Sequence, residues 1–132
     1  MGYTTSFQGK ICFSREITIG EYRQLQDLAD YSTQEEAFKK YNEKWPDSYN
    51  QWEPTKDGWG LVWNGAEKFY DYVEWMEWLI DNFFKVRDIV LTGTLVYQGE
   101  EVGDVGRIEV KDNKVVQIKL DPQGLVKCPN CD

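Results

Sequence analysis

From residue 3 the chain alternates between apolar and polar positions. Tyr3, Thr5, Phe7, Gly9, Ile11 and Phe13 fall on one side, and Thr4, Ser6, Gln8, Lys10 and Cys12 on the other. A period of two predicts a strand with one greasy and one wet face. The period then changes. Thr18 and Glu21 form a capping-box pair, and Tyr22, Leu25, Leu28 and Ala29 follow on one side of a helix ending near Tyr31. Thr33 and Glu36 repeat the signal ahead of Phe38, Tyr41 and Trp45, and Pro46 closes that second helix. Residues 46–58 are rich in turn formers and read as a loop carrying Tyr49 and Trp52. Next come a short strand at 59–63, with Trp59, Leu61 and Trp63 on one face, and a long helix from about Ala66 to Phe84. Strands are then expected at 89–97, at "RIEV" and at "VVQIKL". "GEEVGDVG" reads as a bulged turn, and Asp112-Asn113 as a tight hairpin.

This order predicts the α+β class: a two-layer sandwich with an antiparallel sheet of four or five strands. One long helix and two shorter ones cover a single face. The other face is expected to show Thr4, Ser6, Gln8, Thr92, Thr94, Arg107, Glu109, Gln117 and Lys119 to water. Residues 1–121 read as a single domain and 122–132 as a tail.

The long helix carries more indole than its buried face can hold. At about 100° per residue, Phe69, Tyr72, Val73, Met76, Leu79, Ile80, Phe83 and Phe84 fill one continuous arc. Trp78 lies on the far side among Asp71, Glu74 and Asp81, and Trp75 sits at the edge. Two explanations stand. Either the 33–45 helix or the 46–58 loop folds over both rings, with Trp45, Tyr49 and Trp52 supplying cover, or the rings are an interaction surface ringed by carboxylates. The second gives a partner-binding set of Trp75, Trp78, Glu74, Asp71 and Trp52.

Charge narrows the partners. The 132 residues include 23 acidic and 15 basic side chains, a net charge of −8, which argues against nucleic acid and permits a cationic partner. No apolar run reaches the ~20 residues of a membrane span, and "MGYTTSFQGK" lacks a secretory pattern, so a cytoplasmic protein is expected. The chain has no histidine and three cysteines, Cys12, Cys128 and Cys131. "CPNC" is half of a zinc site; two tails pooled in a dimer would complete it. The carboxylates along the helix read first as a solvated face, and no phosphate loop, nucleophile elbow or dinucleotide fingerprint occurs. A binding protein is expected rather than an enzyme, with no cofactor other than that zinc.

The pattern "YTT-x-F-x-G" at Tyr3–Gly9, "W-x-G-x-EKFYDY-x-EW" at Trp63–Trp75 and "GE…GD-x-G-x-I-x-V" with "DN" at Gly99–Asn113 resembles a family of small uncharacterised bacterial and phage proteins. The C-terminal half is similar in layout to the YubB-type ferredoxin-like domain, which makes the expected fold a ferredoxin-like variant. The resemblance implies a phage- or prophage-borne accessory protein and no particular activity. The leading expectation is therefore a protein that engages a host or phage protein through the acidic, tryptophan-bearing helix face. The alternatives are a planar-ligand or nucleotide binder, or enzyme, with an aromatic pocket between the 46–58 loop and the long helix, and a zinc-linked homodimer.

Overall fold

A computed structural model describes residues 3–41, 44–46 and 48–120. Strand β1 (Ser6–Phe13) follows the alternation of its sequence, with Phe7, Ile11 and Phe13 buried and the intervening residues exposed. Helix α1 (Ile19–Ala29) begins at a complete capping box: Glu21 N–H donates to Thr18 Oγ1 at 3.1 Å, and Thr18 N–H donates to Glu21 Oε1 at 2.9 Å.

The second capping signal does not operate. Helix α2 spans only Gln34–Phe38, and Thr33 turns its hydroxyl to the Asp27 carbonyl at 2.9 Å instead of capping. The 46–58 loop also contains a strand, β2 (Trp52–Pro54), paired with β3 (Gly60–Trp63). Proline is tolerated there because β2 is an edge strand.

The long helix starts later than its periodicity suggests. Helix α3 covers Tyr72–Leu79, runs on as a π-turn over Ile80–Phe84, and ends in a single 3₁₀ turn at Lys85–Arg87. Residues 66–71 are not helical, because Lys68 (φ 62°) and Asp71 (φ 56°) occupy the left-handed region. In the wider π-turn, Ile80, Phe83 and Phe84 all face the core, while the Asn82 amide donates to the Trp78 carbonyl at 3.0 Å.

Strands β4 (Leu91–Gln98), β5 (Val105–Lys111) and β6 (Lys114–Leu120) complete an open six-stranded sheet, ordered β2-β3-β1-β4-β5-β6 and antiparallel at every pairing. Six strands replace the four or five expected. Asp112 and Asn113, both at positive φ, form the two-residue turn between β5 and β6. One sheet face carries Phe7, Ile11, Leu61, Leu95, Tyr97, Ile108 and Val110 into a core closed by α1 and α3.

The other face is polar over β1 and β4 as expected, but β6 is turned over. The hairpin pairs Val110 with Val115 and Ile108 with Gln117. Gln117 and Lys119 therefore lie on the helix-covered side. Val116, Ile118 and Leu120 share the open face with Arg107 and Glu109.

Candidate functional site

The tryptophans of α3 are covered. Trp75 is wholly buried and Trp78 is 7% exposed, against the expectation of a docking patch built on their rings. The cover comes from α2 and the chain after it. Phe38 packs tilted on Trp75 at 4.7 Å between centroids and meets Trp78 edge-on at 5.0 Å, and Tyr41 closes on Trp78 at 5.0 Å. Trp52 is also fully buried, beneath Phe7 and Phe69.

Every one of these indoles also finds an acceptor. Trp78 Nε1 donates to the Lys44 carbonyl at 2.9 Å, Trp75 Nε1 to Ser48 Oγ at 3.0 Å and Trp52 Nε1 to the Tyr72 carbonyl at 2.9 Å. Trp63 Nε1 donates to Gln51 Oε1 at 2.8 Å. The rings thus fasten residues 44–46 and 48–52 to α3 and β3. Buried indole N–H groups need such partners, and this segment supplies them.

Of the remaining proposed contacts, Glu74 is exposed on α3. Asp71 stands at the start of that helix, where Oδ2 accepts from the Ser48 hydroxyl at 3.0 Å. Glu77, beside Glu74 and Asp81, titrates above the ordinary carboxylate range, first because of its partial burial and then because of those two neighbours. Cys128 and Cys131 lie outside the described residues. Cys12 is a free, exposed thiol on the open sheet face, and no cluster of three or more metal-ligating side chains occurs among the described residues.

The fastening of residues 44–52 creates a cleft. It holds about 740 Å³ between the 48–51 strap, the end of α1 and the irregular 64–71 segment. Its floor is polar and rigid. Asn50 N–H donates to Gln34 Oε1 at 2.8 Å, Gln34 Nε2 returns a bond to the Asn50 carbonyl at 3.2 Å, and Asn50 Nδ2 reaches the Leu28 carbonyl at 3.0 Å. Gln51 Nε2 donates to the Glu67 carbonyl at 2.7 Å, tying the strap to the far wall.

The walls are aromatic. Tyr31 and Tyr49 pack at 4.6 Å between centroids, and with Tyr70 they remain 71%, 50% and 44% exposed. The adjoining Tyr31 hydroxyl holds the Tyr49 phenol above its ordinary value. Glu67, Lys68 and Asn64 stand along the rim. The far wall also contains three residues at positive φ, Gly65, Lys68 and Asp71. For the two non-glycine residues this costs on the order of 1–2 kcal/mol each, so the wall is held in shape by its surroundings.

Sequence reading missed Tyr31, Tyr70 and Lys68 as site residues. Tyr31 looked like a helix end, and Tyr70 like the first turn of a helix that begins two residues later. The "NG" at 64–65 was the available signal that regular structure breaks there. No family model, curated protein or solved structure matches the chain. Among the described residues, no helix is long and apolar enough to cross a membrane.

Proposed function

We propose that the protein is a non-enzymatic binding protein whose ligand is a planar small molecule, of the nucleotide or flat-metabolite kind, held in the cleft between residues 48–51 and 64–71. One observation carries this reading: Tyr31, Tyr49 and Tyr70 are exposed together on one pre-formed concavity with a hydrogen-bonded floor. Pockets of several hundred Å³ that combine aromatic walls with a few fixed polar groups are the usual form of a small-molecule site. Trp52, Trp75 and Trp78 do not compete with it, since their rings are core residues. On the resemblance of its motifs alone, we propose further that this binder is a phage- or prophage-borne accessory protein acting in the bacterial cytoplasm. The single helix-covered sheet face supports a two-layer arrangement, while six strands in the order β2-β3-β1-β4-β5-β6 make any ferredoxin-like relationship a distant variant.

The test is a calorimetric titration with a panel of nucleotides and flat aromatic metabolites, comparing the native chain with Tyr49→Ala. Tyr49 is half exposed, so the substitution leaves the core intact. Stacking on one ring contributes about 1–3 kcal/mol, so the variant should bind some ten- to a hundredfold more weakly. A panel without any binder, or a variant that binds as the native chain does, refutes the reading.

A further inference from the structure

Strand β6 presents an apolar face that no described element covers. It closes one side of the sheet, and among the described residues no backbone hydrogen bond reaches its outer edge. Its amphipathic pattern is inverted relative to the core, because the Asp112-Asn113 turn fixes the register that pairs Val110 with Val115. Val116, 52% exposed, with Ile118 and Leu120, therefore points away from the helices, alongside Val105 and the 45% exposed Val96. A seven-residue edge of this kind is a template for another strand.

We propose that the occupant is a second copy of this chain, with β6 pairing antiparallel to β6 about a two-fold axis at Gln117. Three features fit this partner. The axis at Gln117 sets Val116 opposite Ile118, Val115 opposite Lys119 and Lys114 opposite Leu120, so every residue of the strand is paired and no lysine faces a lysine. The apolar stripe of each copy then continues into the other, as a self-complementary interface requires.

The third feature is charge. Lys119 lies on the helix-covered side, opposite the second copy's Val115. That valine borders a hollow lined by Glu77 of its own α3, Asp81 of the π-turn that follows and Lys114. Each Lys119, whose partner in its own chain is Asp104 at 3.4 Å, thus arrives beside a face where Asp81 has an exposed pairing with Lys85 at 3.3 Å and where, among the described residues, Glu74 and Glu77 make no ion pair. The acidic side of α3 becomes a contact between copies, made twice.

Analytical ultracentrifugation of the full chain tests this. The native protein is expected at twice its 15.5 kDa chain mass. Lys119→Glu and Glu77→Lys should each weaken the dimer roughly tenfold or more by setting like charges together. Mixing the two variants should restore it, because in the mixed dimer both contacts again join opposite charges. Val116→Lys, at an exposed position, should dissociate the dimer without unfolding the chain, and circular dichroism of each variant checks the fold. A monomeric native chain, a dimer indifferent to these substitutions, a mixture that stays monomeric, or a dimer that a zinc chelator dissolves would each overturn the proposal. None of these substitutions touches the tyrosine cleft, so its ligand binding is read separately.

Discussion

Among the described residues, Glu21 is the carboxylate most altered by folding. Arg15 grips it with two bonds, at 3.0 and 2.9 Å, and Arg87 approaches at 3.8 Å, so one side chain joins the end of β1, the start of α1 and the turn after α3. The Arg15 hydrogen bonds, opposed by desolvation and then aided by the cap bonds from Thr18, hold its pKa at about 2, from an ordinary 4.5. The folded state therefore binds the proton less readily than the unfolded chain. The resulting stabilisation is complete above about pH 4.5 and is lost as pH falls towards 2. Because the Arg15 side chain is 40% exposed, solvent screening reduces it to on the order of 1–2 kcal/mol. Glu21→Gln should lose about that much in urea melts at pH 7, and the difference from the native chain should narrow below about pH 4.5 and close only near pH 2. A constant difference over that range would mean that the charge is not what matters. Tyr97 is the opposite case. Its hydroxyl is buried with no hydrogen-bond partner among the described residues, and an unsatisfied buried group costs free energy. Tyr97→Phe should be neutral or stabilise by up to about 1 kcal/mol; a loss above that would reveal a bond the hydroxyl makes.

At the scale of elements, α3 is stable because of its cover. Its N-cap, Asp71, makes no side-chain cap bond and is left-handed, so packing rather than capping holds this end. Trp78→Ala should then cost about 3–5 kcal/mol, as for a large aromatic in a core, with thermal denaturation as the measure. A cost under about 1 kcal/mol would mean that the segment at 38–45 does not press on the ring. The same helix shows which parts of the fold were legible in the sequence. Period-two alternation marked β1, the Thr18–Glu21 pair marked α1 and the Asp112-Asn113 pair marked the last hairpin, because in each case local chemistry alone decides the backbone. The start of α3 was not legible. Residues 66–71 have helical spacing, yet Lys68 and Asp71 are held at positive φ by tertiary ties such as Gln51 to the Glu67 carbonyl and Ser48 to the Tyr70 carbonyl at 3.0 Å. The facing of β6 was misread because turn geometry overrode its amphipathic pattern. The cleft was visible only as an aromatic pocket beside the 46–58 loop, since its walls depend on that unforeseen break at 64–71.

For the whole molecule, aromatic clusters on the two sides of α3 tie together elements distant in sequence within one hydrophobic core. Phe7 on β1 touches Trp52, Trp63, Phe69 and Tyr72 at 5.0 to 5.7 Å. Tyr72 carries the contact on to Tyr97, and burial with the nearby Tyr97 pushes its phenol up to about 12. On the other side of α3, Phe38, Trp75 and Trp78 bind the α2 region to the same helix. Sheet, strap and helix therefore share rings, and none can leave without exposing the others. This architecture predicts a single cooperative transition. Indole fluorescence, which reports the strap and α3, and far-ultraviolet circular dichroism, which reports helix and sheet, should give the same urea midpoint. If fluorescence changed first, residues 44–52 would be lifting from α3 as a separate unit, and the cleft would be a mobile flap instead of a pre-formed site. Coincident midpoints fix the cleft's shape in the free protein, where tight binding of a flat ligand requires it to be: walls that order only on binding would consume part of the stacking energy on their own immobilisation.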